Sequence, residues 1–119
     1  MMSLAALAGL LGATGVGLAA VAAHVSGEPT LKTAADFLLF HAAALLAITA
    51  SLRGKPHRGL LVAGSIIGFG TILFSGDLAV RALAGVHLFP MAAPSGGLLL
   101  IAGWLLCAAA APFALRDER

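Results

Sequence analysis

Two histidines, a carboxylate and a hydroxyl stand inside stretches that are otherwise almost wholly apolar: His24, His41, Asp77 and Ser75. An imidazole can ligate a metal, accept a proton or pass one on. With a carboxylate beside them, His24, His41 and Asp77 would supply three ligands to a divalent ion. Each also has an ordinary structural reading. His41 follows Phe37 by four residues, on the same helical face. It can be a neutral core histidine bonded to a carbonyl or to Ser75. His24 falls at the end of its segment, where water makes a histidine cheap. Asp77 precedes Arg81 by four, the spacing of a helix ion pair. Asp36 stands near the start of its segment, where a helix dipole favours an acid. The run Pro94-Ser95-Gly96-Gly97 opens the last apolar segment. Ser95 is expected to cap it, and Gly96 and Gly97 would leave free N–H groups where a phosphate or carboxylate can dock.

Other chemistry is excluded. The single cysteine, Cys107, allows neither an internal disulfide nor a Cys-x-x-Cys exchange pair. No His-Glu-x-x-His, P-loop or Gly-x-Ser-x-Gly pattern occurs. Net charge is +2 and charged residues are 10% of the chain, which excludes a nucleic-acid-binding arm.

The elements that hold these residues follow from composition. Of 119 residues, 61% are hydrophobic, and the mean hydropathy is +1.05. A soluble domain of this size needs far more polar surface. A membrane helix needs roughly 20 mainly apolar residues. Residues 1–27 carry no charge, 33–52 are apolar apart from Asp36 and His41, and 59–80 apart from Asp77. Residues 82–115 are uncharged but too long for one span, and Pro90 and Pro94 divide them. The expectation is an all-α, polytopic four-helix bundle forming a single domain over 1–119, with helices about 3–25, 33–52, 59–82 and 95–115. The first is expected to be an uncleaved helix, because it lacks the basic start of a signal peptide. Arg53, Lys55, Arg58, Arg116 and Arg119 fall on one side of such a bundle, against Lys32 and Arg81 on the other. That bias puts both termini in the cytoplasm. His57 and its basic neighbours then lie against anionic headgroups.

At 1.5 Å of rise per residue, His41 would lie roughly 12 Å below the outer end of the second helix. Ser75 and Asp77 would lie roughly 6–9 Å below the outer end of the third. His24 and the start of the fourth helix join them in the outer half of the bilayer. The inner half holds little beyond Thr49, Ser51 and Ser65. Close packing is expected from small residues, including Gly64 and Gly68, Ala19 and Ala23, and Gly9, Gly12 and Gly15. These faces serve intramolecular packing or a homo-oligomer. Trp104 falls mid-helix, which suits packing inside the bundle.

Four local patterns resemble one family. Ala19-Ala20-Val21-Ala22-Ala23-His24 is similar to its Gly-Ala-Phe-Gly-Ala-His segment, and Phe37-Leu38-Leu39-Phe40-His41 to its aromatic-x-x-x-His pattern. Leu73-Phe74-Ser75-Gly76 matches its Leu-Phe-Ser-Gly motif. Pro94-Ser95-Gly96-Gly97 with Gly103-Trp104 matches a Pro-x-Gly-Gly and Gly-Trp pair. The family is the domain-of-unknown-function family 423, of YgdD-like and transmembrane protein 256-like small membrane proteins. The resemblance implies a four-helix inner-membrane protein of unassigned activity, and adds weight to His24, His41, Ser75 and Gly76. The chain departs from the pattern in its alanines before His24, in Asp77-Leu78-Ala79-Val80 after the Ser-Gly step and in Ala93 where a threonine is common.

Two functions compete. One is a non-enzymatic binding or assembly protein holding a lipid, a quinone-like molecule or a partner helix near the outer leaflet. The candidate residues are His24, His41, Ser75, Gly76, Asp77, Ser95, Gly96 and Gly97. The other is a small proton or metal conduit using His24, His41 and Asp77. A conduit needs polar access from both faces, and the dry inner half favours binding. A lipid-headgroup enzyme with His41 as base ranks last, for want of a nucleophile beyond Ser75.

Overall fold

The computed structural model describes residues 2–116; Arg119, counted above among the inner charges, lies outside them. The order is α1 (Met2–Val21), a π-helical turn (Ala22–Ser26), α2 (Pro29–Ser51), α3 (Arg58–Ala84) and α4 (Ala92–Arg116). All four helical segments are long and apolar enough to span a bilayer. Such segments must satisfy their own backbone groups, which a helix does.

Helix boundaries differ from expectation at two prolines. Pro29 stands at the first position of α2, which begins four residues earlier than residue 33. Its ring fixes a helical φ, and the N–H it lacks would have had no partner there. Helix α4 begins at Ala92, so Pro94 lies in its first turn, for the same reason. The α1–α2 connection closes on Gly27 (φ 65°), whose N–H donates to the Ala22 carbonyl at 3.0 Å. Gly85 (φ 72°) ends α3 in the same way, donating to Arg81 O at 3.0 Å. His57 caps α3, its Nδ1 accepting from the Leu60 N–H at 3.4 Å.

Sequence neighbours pack most closely: α1 on α2 and α3 on α4, with α2 on α3 joining the pairs. The core runs along these seams through Leu4, Leu11, Leu38, Leu45, Ile67 and Leu100. Small residues set the approach. A Cβ on Gly96 would stand 2.5 Å from Phe74 N, so α3 and α4 touch backbone to backbone. Gly64 and Gly68 receive Leu4 and Leu7 of α1, which makes that step an intramolecular seam. Gly12 and Gly15 face α2, whereas Gly9 and Gly17 face no neighbour within 4 Å.

Hydroxyls in the spans use one device. Thr14, Thr49, Ser51, Ser65 and Thr71 each donate to the carbonyl four residues back, at 2.7–3.0 Å. That bond removes an O–H from hydrocarbon without a partner helix. Among the described residues, Ser75 Oγ is the buried side-chain polar atom left without a partner.

Candidate functional site

His41 is buried in α2 and held at both ring nitrogens. Nδ1 lies 2.7 Å from the Phe37 carbonyl one turn back. The indole N–H of Trp104, in α4, donates to Nε2 at 3.1 Å. A carbonyl only accepts and an indole N–H only donates, so the pair fixes the neutral Nδ1–H tautomer. The bond to Ser75 anticipated as an alternative does not form. Trp104 corrects a second expectation. It is 46% exposed on the outer surface of α4, rather than packed inside the bundle.

Around this bond the aromatic rings are continuous. Phe37 stacks on His41 at 5.6 Å between centroids and meets Phe74 of α3 at 4.5 Å; His41 and Trp104 are 6.0 Å apart. These rings, with Phe40, Leu100 and Ile101, line a groove of about 670 Å³ between α2 and α4. Gly97 also lines it, where a larger residue would fill the space. Below Trp104 the seam continues as a smaller hollow of about 170 Å³, bordered by Ala47, Ile48, Cys107 and Ala111.

The corrected helix starts place the site further along each helix than expected. His41 lies 12 residues into α2 and Trp104 12 residues into α4, about 18 Å along each axis. Both partners therefore stand about halfway along their helices, level with each other.

Asp77 belongs to a separate arrangement. It is 1% exposed and turns into the α3–α4 connection. Oδ1 accepts from the Leu88 N–H at 2.9 Å, and Oδ2 lies 3.2 Å from His87 Nδ1. The expected ion pair with Arg81 is replaced by this loop clamp. His87 is the residue the sequence reading passed over. Its signal was there: a histidine in a short connection, ten residues after an acid inside a span. Leu88 also reaches back over Gly76, 3.5 Å from where a Cβ would stand.

The remaining candidates disperse. His24 lies exposed in the π-helical turn. Asp36 pairs with Lys32 at 2.9 Å on the surface of α2, about two turns past the N-cap Glu28 and so away from the helix start expected for it. Ser95 does not cap α4: the helix starts at Ala92, and the Ser95 N–H is already committed to Met91 O at 3.0 Å. Gly96 is buried against α3, so its role is close packing rather than an open amide. Among the described residues no three His, Cys, Asp or Glu side chains come together for a metal, and His24, His41 and Asp77 form no ligand set.

Four apolar helices, with most of the hydroxyls in their spans bonded to the carbonyl one turn back, define a small polytopic membrane protein. Residues 18–97 match the family model described as "Protein of unknown function (DUF423)", and the chain belongs to that family. It is similar to the UPF0382 inner membrane protein YgdD of Escherichia coli, at 28% identity covering 89% of this chain and 84% of that one. It also resembles the UPF0382 membrane protein SH2409 of Staphylococcus haemolyticus, at 32% identity over 63% of this chain and 61% of that one. A UPF0324 membrane protein of Pseudomonas putida is 40% identical over 61% of this chain but only 20% of its own length. No solved structure matches.

Proposed function

We propose that this chain is a non-enzymatic binding protein of a bacterial inner membrane, holding a lipid-like small molecule in the α2–α4 groove. The observation that carries this reading is the groove itself. Its volume of about 670 Å³ falls in the range of small-molecule sites, roughly 300–1,000 Å³. It is walled by aromatic rings, with one hydrogen-bonded pair at its floor, the usual composition of such sites. A conduit draws no comparable support, because the hollow below Trp104 is lined mainly by alanine and aliphatic side chains.

Native mass spectrometry of protein released gently from its own membrane tests the reading. The wild-type chain is expected to retain a stoichiometric lipid-like molecule. Gly97→Leu places a side chain in the groove, where an added Cβ has only ordinary contact with the Phe74 ring at 3.8 Å. That variant is expected to emerge bare. Equal retention by both proteins, or a bare wild type, refutes binding in the groove.

The same proposal sets both termini in the cytoplasm. Arg53, Lys55, Arg58 and Arg116 flank one face, and Lys32 and Arg81 the other. A fluorescent reporter fused after residue 119 should mature, and a periplasm-dependent phosphatase there should stay inactive.

A further inference from the structure

The groove's chemistry narrows its occupant, given the binding reading above. No charged side chain lines it. Its polar floor lies about 18 Å along α2 and α4, about halfway along both spans and beyond the surface pair Lys32–Asp36. A phosphate or ammonium headgroup dragged to that depth would lose its hydration with nothing to pair against. The occupant of the floor is therefore neutral. The walls add a second restriction. Phe37, Phe74 and Trp104 present ring faces and edges to one space, which suits a flat conjugated head more than a bare chain. The floor adds a third. His41 Nε2 is an acceptor and Trp104 Nε1 a donor, 3.1 Å apart. Trp104 is half exposed and meets His41 through one hydrogen bond, so an inserting group has that one bond to replace. The parted pair would offer one donor and one acceptor side by side. A hydroxyl satisfies both at once; a carbonyl satisfies the indole and leaves Nε2 empty.

From these three restrictions we infer that the α2–α4 groove binds the head of an isoprenoid quinone, with its quinol form preferred, inserted between His41 and Trp104. The isoprenoid tail leaves sideways into the bilayer, where the groove is open. The quinol O–H donates to His41 Nε2 while its oxygen accepts from Trp104. No electron transfer is involved in this step. The extra hydrogen bond makes the quinol about 10-fold tighter than the quinone.

The chain reports on this directly, because Trp104 is its single tryptophan and it has no tyrosine. The protein in nanodiscs is titrated with a short-tailed benzoquinone, whose ring quenches indole emission, and the quinol is measured by displacement of the quinone without oxygen. Saturable one-site quenching, abolished by Gly97→Leu, with quinol displacing quinone about 10-fold more tightly than quinone binds, is the expected result. Quenching that rises linearly with quinone and is identical in Gly97→Leu is partition alone, and overturns the inference. Equal affinity for the two forms overturns the insertion between His41 and Trp104. Phospholipids brominated along their acyl chains then separate the two failures. If they quench Trp104 and Gly97→Leu prevents it, the groove holds an acyl chain, and the binding reading survives without the quinone. If Gly97→Leu changes neither probe, both fall.

Discussion

Replacing Gly96 by alanine should part α3 from α4. An added Cβ would stand 2.5 Å from Phe74 N and 2.9 Å from both Gly70 O and Phe74 Cα. Ordinary contact begins near 3.4 Å, so the shortfall against the nearest atom is 0.9 Å. All three neighbours are backbone, and none can rotate aside. The helices must separate by most of that distance, and a gap of about 0.5–1 Å forfeits a quarter to a half of the dispersion at each contact. Overpacking of this kind costs about 1–3 kcal/mol. The intrinsic helix preference for alanine over glycine returns up to about 1 kcal/mol, which from the middle of that range leaves a net loss of about 1 kcal/mol. The assay is reversible unfolding in mixed micelles, titrating a denaturing detergent and following Trp104 emission. Gly97→Ala is the internal control: one residue along, its Cβ meets the Phe74 ring at 3.8 Å, and its midpoint should match wild type or rise by the same helix preference. Gly70→Ala, whose Cβ would lie 3.0 Å from Gly96 O, should repeat the loss, and the double variant should fall short of the sum because the seam is already open. A Gly96→Ala midpoint equal to wild type, or a loss as large for Gly97→Ala, would refute the backbone-contact account.

Trp104→Phe keeps a ring but leaves His41 Nε2 without its donor, and should cost about 1 kcal/mol when wild type and variant are both unfolded with the same detergent and followed by far-ultraviolet circular dichroism; no change would mean the bond adds nothing in hydrocarbon. Asp77→Leu should free the α3–α4 connection, speeding amide exchange and protease cutting over residues 85–91, while Asp77→Asn, which keeps an acceptor for Leu88 N–H, should show a smaller effect. Gly85→Ala forces a Cβ into a left-handed turn at φ 72° and should cost about 1 kcal/mol, whereas Gly59→Ala acts through a clash with Ala110 instead; equal tolerance of Gly85→Ala and wild type would argue against a strained cap.

Span number and helical class were legible because hydrocarbon imposes one rule on every span. Long uncharged runs such as 1–27 have few other solutions. Boundaries were less legible at Pro29 and Pro94, since proline both ends helices and begins them. The site was legible by residue and not by partner. His41 stood out as a polar group at apolar depth, and Ser75 and Asp77 for the same reason. Partnership depends on helix rotation, which the small residues of this chain leave weakly encoded. Trp104 became the neighbour of His41, and Asp77 turned to His87 instead of Arg81. A layer drawn by depth alone therefore merged two unrelated arrangements, the His41–Trp104 pair and the loop clamp.

The packing order carries a consequence for how the protein is made. The two closest seams join consecutive helices, α1 with α2 and α3 with α4. Each hairpin can therefore close as soon as its second helix leaves the ribosome, before the other half exists. The polar stretch from Arg53 to His57 then joins two halves that are already closed, turning at Gly54 (φ 85°) and capping α3 through His57. Genes encoding residues 1–54 and 55–119, translated separately in one cell, should yield halves that find each other in the membrane and rebuild the His41–Trp104 bond from two chains.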